Sequence, residues 1–173
     1  KSDLILRDMD LLKKINEKAV CHVQMTMTTF DEELCKKLEP HVCTTRRRFE
    51  VLKEMQKEGI PTVVWLTPTL PFINDTEENV KGILNYCIDA GVKGILTFGS
   101  GMTLRRGNRE YYYKKLDELF PGLKKKYMHA YGMSYGIKSP NSKKLESIVK
   151  TTCKENGIVF GTSKVFEMVS AYK

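Results

Sequence analysis

The chain has 173 residues, of which 41% are hydrophobic and 29% are charged, and its net charge at pH 7 is +8. This length and composition are ordinary for a globular protein with one sizeable core. No apolar run approaches the roughly 20 residues of a membrane span, so we expect no membrane partner. The five cysteines are odd in number and scattered, which disfavours a disulfide framework and indicates a reducing, cytoplasmic compartment.

The first 60 residues predict two helices and a strand, followed by a third helix. Met9, Leu12 and Ile15 have the spacing of one helical stripe, which predicts a helix over 8–18. A strand over about 20–28 comes next. A capping box at 29–32 predicts a short helix before Pro40, and a longer helix is predicted over 45–58.

Apolar strands and helices alternate through the rest of the chain. Two strands rich in β-branched residues are predicted at 60–70 and 92–98, with a helix from Asp75 to Ala90 between them. Later helices are predicted at 109–119, 122–131 and 142–156, with a short strand at 158–160. Strands alternating with helices predict an α/β fold with a parallel sheet.

The alternation loosens after about residue 120. We therefore predict a (β/α) unit over 1–120 and an accessory helical segment over 121–173.

The strand at 20–28 alternates between two kinds of side chain. One face is apolar and consists of Cys21, Val23, Met25 and Met27. The other face is polar and consists of His22, Gln24, Thr26 and Thr28. In a parallel sheet both faces are normally buried, so the polar face fits a ligand site at the carboxyl edge, near Thr67, Thr69 and Thr97. An edge strand with one solvated face is the alternative.

Motifs for metal binding and nucleophilic catalysis are absent from the sequence. There is no Cys-x2-Cys, His-x3-His or Cys-x3-Cys-x2-Cys spacing, and no Gly-x-Ser-x-Gly motif. The turn Gly99-Ser100-Gly101 has exposed backbone amides that could bind an anion, which leaves a phosphate-binding half-barrel open as one function.

Cationic clusters point to an anionic partner. Arg46-Arg47-Arg48 lies in a first helical turn, where the helix dipole disfavours positive charge. Either a bound anion offsets this cost or the cluster is a tolerated surface feature. The runs Arg105-Arg106 and Lys124–Lys126, with the aromatic loop 131–141, suit nucleic acid, although solvated helices often carry such runs.

Four segments, in order, resemble one enzyme family. They are VQMTMTTFDEELCKKLEP, RRRFEVLKEMQKEGIPTVVWLTPTLPFIND, AGVKGILTFGSGMTLRRGNREYYYKKLDELFPGL and YGMSYGIKSPN. Together with the opening KSDLILRDMDLL, they resemble radical S-adenosylmethionine enzymes, in the branch of spore photoproduct lyase-like proteins labelled DNA repair photolyases.

The resemblance implies a TIM-like (β/α)₆ core, a [4Fe-4S] cluster on a Cys-x3-Cys-x2-Cys loop, and S-adenosylmethionine cleaved to a 5′-deoxyadenosyl radical that abstracts a hydrogen. This chain lacks that loop and the first three strands, so the resemblance implies the carboxyl-terminal half of the barrel with a helical extension. The missing amino-terminal half is then a partner, and DNA or another anion is the substrate.

The resemblance also implies a set of cofactor-binding residues. Lys1 and Ser2 match a Lys-Ser pair at the end of the family's third strand, and Gln24 and Thr26 stand where the family often has two serines. Arg48 matches an arginine that faces the cofactor's carboxylate. Pro68 and Thr97 end strands near the adenine. A non-enzymatic, basic domain that binds nucleic acid or a protein partner is the alternative function.

Overall fold

The computed structural model describes residues 1–171. The strands are β1 (Val23–Thr26), β2 (Thr62–Trp65), β3 (Gly94–Leu96), β4 (Gly101–Thr103), β5 (Gly136–Lys138) and β6 (Val159–Phe160). After a short 3-10 helix (Leu4–Asp8), the helices are α1 (Met9–Lys18), α2 (Glu32–Leu38), α3 (Thr45–Lys57), α4 (Glu77–Asp89), α5 (Asn108–Leu119), α6 (Leu123–Tyr131), α7 (Ser142–Glu155) and α8 (Thr162–Ser170).

A four-stranded parallel sheet has the order β1-β2-β3-β6, which is also the order of these strands along the chain. Helices α3, α4 and α7 lie in the three connections and contribute apolar side chains to one core with the sheet. Because every crossover places its helix on the same face, the sheet is covered by these helices on one side only.

The apolar face of β1 packs against this helical layer. Val23 and Met25 are 3% exposed and Met27 is fully buried, and all three belong to the main core with Leu52 and Met55 of α3. Gln24, on the alternate face, is exposed. The sidedness predicted from the alternation at 20–28 is therefore confirmed.

Helix α8 covers part of the opposite face of the sheet. Val165 packs against Val63 and Leu96, with Met168 and Val169 beside it. Gly94 permits this approach, since a Cβ at that position would lie 3.1 Å from Val165 and 3.2 Å from Met168.

A second apolar cluster lies beside the sheet, around Tyr127. It combines side chains of α5 and α6 with the two-stranded antiparallel sheet of β4 and β5, which is called the hairpin below although its connection contains both helices. The cluster is joined to the loop after β2 by two polar contacts. Tyr127 donates a hydrogen bond to the carbonyl of Pro71, and Ser139 donates to Asp75 at 2.5 Å.

The parallel sheet and the α/β class are confirmed, while several local predictions are wrong. Helix α2 is capped by Asp31, whose side chain accepts from the Leu34 amide, and not by Thr29. Strands β1, β2 and β3 are all shorter than the predicted ranges 20–28, 60–70 and 92–98, because the residues at both ends of each range lie in loops. Strands β4 and β5 and helix α8 were not predicted.

The main sheet and its core extend across residue 120, where the sequence placed a boundary between two units. Strand β6 pairs with β3, and α7 contributes Leu145, Val149 and Cys153 to the main core. Within residues 1–171, no helix is both long and apolar enough to cross a membrane.

Candidate functional site

Two cavities open near the carboxyl edge of the sheet, and Pro68 borders both. The hairpin cavity, of about 600 Å³, is lined by Thr67, Phe98, Met102, Arg105, Asn108 and Lys138. The lysine cavity, of about 610 Å³, lies where α2 and α5 meet the loop after β2, and its charged lining residues are Lys1, Lys36, Lys37, Glu39 and Lys115. Both volumes fall within the range of about 300–1,000 Å³ typical of small-molecule sites.

An aromatic pair stands on the open face of the sheet, beside the hairpin cavity. The Trp65 ring lies 5.5 Å from the Phe98 ring, and Trp65 Nε1 donates a hydrogen bond to Gln24 Oε1 at 2.6 Å. Phe98 is 62% exposed. Helix α8 packs on Val63 and Leu96 of the same face, and Trp65 packs beside this cluster, so Phe98 is the more exposed member of the pair. Such a pair can stack a flat ring ligand while Gln24 supplies polar contacts.

Arg48 lies in a buried charge network at the end of β1. The side chain is 0% exposed, and it donates to the Thr26 carbonyl at 3.0 Å and to Glu39 Oε2 at 2.7 Å. Glu39 also contacts Lys1 Nζ. Burial raises the pKa of the Glu39 carboxyl, but the hydrogen bonds and positive charges of Lys1 and Arg48 together outweigh burial and hold this pKa below its usual range. Arg48 Nε has no hydrogen-bond partner within residues 1–171.

The chain's own carboxylates offset the arginines at the start of α3. Arg47 bonds Asp3 at 2.9 Å and Glu50 at 3.0 Å, and the backbone amide of Arg46 donates to Glu32 at 2.9 Å. The negative charge that the helix dipole favours at this end of α3 therefore comes from within the protein. Arg46 and Arg47 are exposed, whereas Arg48 is buried.

The predicted cofactor residues divide into groups. Lys1 and Arg48 meet at Glu39, Arg48 also donates to the Thr26 carbonyl, and Gln24 accepts a hydrogen bond from Trp65.

The other three predicted positions lie outside that network. Pro68 borders both cavities, whereas Ser2 Oγ accepts from the Leu4 amide at 3.1 Å. The Thr97 carbonyl accepts a hydrogen bond from the Thr162 hydroxyl at 3.4 Å. Because side chains alternate along a strand, Phe98 lies on the same face of the sheet as Leu96, and Thr97 does not.

Sequence reasoning missed Trp65, Phe98 and Glu39. Trp65 could have been found, because it is two residues before Thr67 and is the chain's single tryptophan. Glu39 gave no local signal, since its partners Lys1 and Arg48 are 38 and 9 residues away in the chain.

The glycine turn after β3 is used within the fold. The Gly101 amide donates to the Gly99 carbonyl at 3.0 Å, and the Ser100 carbonyl accepts from the Ser139 amide at 2.7 Å. The anion nest expected at Gly99–Gly101 is therefore missing one of its donors, which weighs against a phosphate site there.

The described cysteines form neither a metal cluster nor a disulfide. Within residues 1–171 there is no group of three His, Cys, Asp or Glu side chains that could hold a metal ion. All five cysteines are free. Burial raises the pKa of the Cys153 thiol to about 11 and also raises the pKa of Cys87, so both remain neutral thiols at pH 7.

Comparisons with known proteins found two uncharacterised relatives. A protein of Methanocaldococcus jannaschii, MJ0683, is 36% identical over 77 residues, which are 44% of this chain and 29% of that protein. The protein ORF301 of Acidianus two-tailed virus is 27% identical over 114 residues, which are 64% of this chain and 36% of that protein. The chain thus spans about a third of the length of these relatives. No protein-family model matches the chain.

Proposed function

We propose that this chain is the carboxyl-terminal half of the barrel of a radical S-adenosylmethionine enzyme, similar to the spore photoproduct lyase branch. The observation that carries the proposal is the sheet. Four parallel strands follow each other in chain order with their crossover helices on one face, which is how a (β/α) barrel is built. A sheet of this kind closes only when further strands are added to it.

The free edge of β1 offers a place for those strands. The amides of Val23 and Met27 donate to the Pro61 and Trp65 carbonyls of β2. In a parallel strand the alternate residues point their backbone groups the other way, so Gln24 and Thr26 present theirs at the opposite edge. Arg48 takes the Thr26 carbonyl, and the Gln24 amide and carbonyl stay available for a further strand.

The open face has groups that fit S-adenosylmethionine. The Trp65–Phe98 pair suits stacking of the adenine, and Gln24 and Thr67 supply polar contacts beside it. When bound, S-adenosylmethionine would supply the 5′-deoxyadenosyl group, and the residues of this chain would hold and orient it. Arg48 is bound to Glu39, so its role toward the cofactor is to hold the end of β1 in place.

The residues of this chain do not fit the iron–sulfur cluster. The sequence has no Cys-x3-Cys-x2-Cys motif, and the described residues include no three-ligand group. The proposal therefore assigns the cluster to the amino-terminal half of the barrel. The first test of this assignment is the coding sequence before Lys1. We expect a Cys-x3-Cys-x2-Cys motif there, and an intact upstream region without one would contradict the proposal.

The test uses the longer protein, purified and reconstituted without oxygen. We expect bound iron and sulfide and the release of 5′-deoxyadenosine from S-adenosylmethionine, measured by liquid chromatography with mass spectrometry. Trp65→Ala should reduce this release about tenfold, since stacking on an aromatic side chain is worth about 1–3 kcal/mol per base. Tyr111→Ala, which alters an exposed ring off this face, is the control. Equal release by wild type and Trp65→Ala would remove the open face as the cofactor site.

The hairpin cavity supports a second candidate, a basic domain that binds nucleic acid. Arg105 and Lys138 line it together with the exposed ring of Phe98. Aromatic rings with nearby cations suit single-stranded nucleic acid, because rings stack bases and cations contact phosphates.

This second candidate predicts a salt-dependent affinity for oligonucleotides. The slope of log K against log salt is negative, and each lost phosphate contact reduces its magnitude by about 0.7–0.9. Arg105→Ala with Arg106→Ala should flatten the slope, whereas Lys150→Ala with Lys154→Ala on α7 should not, although it removes the same charge. Fluorescence anisotropy at several salt concentrations measures this. Equal slopes for the two double variants would reject the hairpin cavity as the contact surface.

A further inference from the structure

We propose that the lysine cavity binds a small amphipathic anion, a molecule with an aromatic or alkyl body and one carboxylate, phosphate or sulfonate group. This site is separate from the open face of the sheet and does not depend on the proposed cofactor.

The walls of the lysine cavity are mostly apolar. Leu70 and Ile73 come from the loop after β2, and Leu116, Leu119 and Phe120 come from α5 and the residue that follows it. Leu116 is only 1% exposed. An apolar pocket of about 610 Å³ between two helices and a loop is large enough for a ring system or a branched alkyl chain.

The charges around this cavity are predominantly positive. Lys36 and Lys37 come from the last turn of α2, Lys115 comes from α5, and Lys1 lies at the chain start. Glu39 is the carboxylate that faces them, and both Lys1 and Arg48 already bind it. Because that carboxylate is neutralised, the surplus positive charge favours an anionic ligand over a cationic one.

Lys37 is the cation best placed to bind a ligand. Lys36 pairs with Glu33 at 2.6 Å and Lys115 pairs with Glu118 at 2.5 Å. Lys37 has no carboxylate partner within residues 1–171, and its ammonium lies 4.2 Å from the centroid of the Phe120 ring. A ligand that carries an anionic group on a flat ring can contact the Lys37 ammonium with the anionic group and the Phe120 side chain with the ring.

The geometry also favours a small molecule over a nucleic acid strand. The cationic groups surround one apolar pocket, whereas single-strand binding uses a basic groove that follows the backbone together with a series of stacked bases. A small anion places its single charge near Lys37 and its body against Leu119 and Phe120.

The test is a fluorescence titration of the 173-residue chain with 8-anilinonaphthalene-1-sulfonate. N-phenyl-1-naphthylamine, which has the same rings without the sulfonate, is the neutral counterpart. We expect the sulfonate to bind more tightly than the neutral amine, and 1-naphthyl phosphate to displace it. Tighter binding of the neutral amine would overturn the assignment of an anion site.

Variants assign the binding to this cavity. Lys37→Glu should weaken binding of the sulfonate about tenfold or more, as expected for a lost charge-assisted contact. Lys125→Glu, which changes the same charge on α6, should leave it unchanged. Leu119→Trp fills the cavity and should weaken binding of both probes. If Lys37→Glu unfolds, as judged by circular dichroism, Lys37→Gln replaces it. If Lys37→Glu and Leu119→Trp both leave probe binding unchanged, the probe binds elsewhere and the proposal is overturned.

Discussion

Arg48 illustrates how a single charged residue can determine local structure. A buried guanidinium is costly unless it is paired, and here Glu39 and the Thr26 carbonyl provide the partners. These two contacts tie the start of α3 and the end of α2 to the carboxyl end of β1. The ion pair therefore positions the strand end that borders the candidate site.

We predict that removing Glu39 destabilises the protein strongly. Glu39→Leu leaves Arg48 buried without its anion, and the free energy of unfolding should fall by about 3–5 kcal/mol. Urea denaturation followed by circular dichroism measures this.

The double variant Glu39→Leu with Arg48→Met should regain much of the loss, since no charge then stays buried. Glu50→Ala removes an exposed partner of Arg47 and should cost less than about 1 kcal/mol. A loss in Glu39→Leu no larger than in Glu50→Ala would show that the buried pair contributes little.

The pKa of Glu39 gives a prediction about pH. Burial, the largest single cause, raises this pKa, but the hydrogen bonds and positive charges of Lys1 and Arg48 together lower it further, so the folded value lies below the unfolded value of about 4.3. A lowered folded pKa stabilises the protein above the unfolded pKa, and this stabilisation is lost as pH falls through the folded value.

The difference in unfolding free energy between wild type and Glu39→Gln should therefore be constant between about pH 5 and 7 and should shrink below about pH 4. Urea denaturation of both proteins across this range measures the difference. Glu155→Gln, on the exposed end of α7, is the matched control substitution. A constant difference down to pH 3 would contradict the role of the ionised carboxylate.

At the scale of elements, the hairpin of β4 and β5 depends on one close backbone contact. A Cβ at Gly101 would lie 2.1 Å from the Ile137 carbonyl oxygen, and backbone cannot move as a side-chain end can. Gly136, on the partner strand, has no atom within 4 Å of its hypothetical Cβ. The hairpin thus contains a glycine that packing requires and a matched glycine that packing does not require.

We predict opposite outcomes for the two glycines. Gly101→Ala should separate the strands and lower the free energy of unfolding by about 1–3 kcal/mol, the usual cost of overpacking. Gly136→Ala should change it by less than about 0.5 kcal/mol, as is usual for surface substitutions. Thermal and urea denaturation of both variants measure this. Similar behaviour of the two variants would mean that the hairpin is not closely paired at Gly101.

Across the whole molecule, exposed apolar side chains occur on several elements, and one group of them lies on the amino-terminal helices. Leu4, Leu11 and Ile15 are 67%, 58% and 50% exposed, although α1 packs its other face on the main core. Strand β1 has its unpaired edge in the same half of the chain. Exposed apolar side chains and an open strand edge promote association.

We predict that the 173-residue chain self-associates as its concentration rises. Leu11→Lys with Ile15→Lys should weaken this association in sedimentation velocity, because it removes apolar area without altering the core. Leu4→Lys alone should have a smaller effect. A chain that stays monomeric at every concentration tested would show that this surface is tolerated in water.

The free edge of β1 provides a direct test of the barrel proposal. If an amino-terminal half-barrel covers β1, the amides of Gln24 and Thr26 should exchange hydrogen more slowly in the longer protein than in the isolated chain. Hydrogen exchange with mass spectrometry measures this difference. Equal exchange in the two proteins would leave β1 as an edge strand and would contradict the proposed closure of the barrel.

Local periodicity was sufficient to predict most of the helices, the parallel strands β1, β2, β3 and β6, and the buried face of β1. The predicted ends of four helices, α1, α3, α4 and α7, lie within two residues of the observed ends. These helices were predictable because the apolar stripe and the caps of each lie within one segment of the chain. The assignment of Val23, Met25 and Met27 to the core followed from a period of two. These features depend on neighbours along the chain, which the sequence displays directly.

Tertiary structure decided which groups meet at the candidate site. Trp65 and Gln24 are 41 residues apart, and Ser139 and Asp75 are 64 residues apart. A sequence pattern shows that a face is apolar or polar, but not which distant element covers it. For this reason neither the Arg48–Glu39 ion pair nor the position of α8 on the open face of the sheet was foreseen. The sequence alone determined the α/β class and the sidedness of β1, while long-range packing decided the ion pairs, the hairpin and the two cavities.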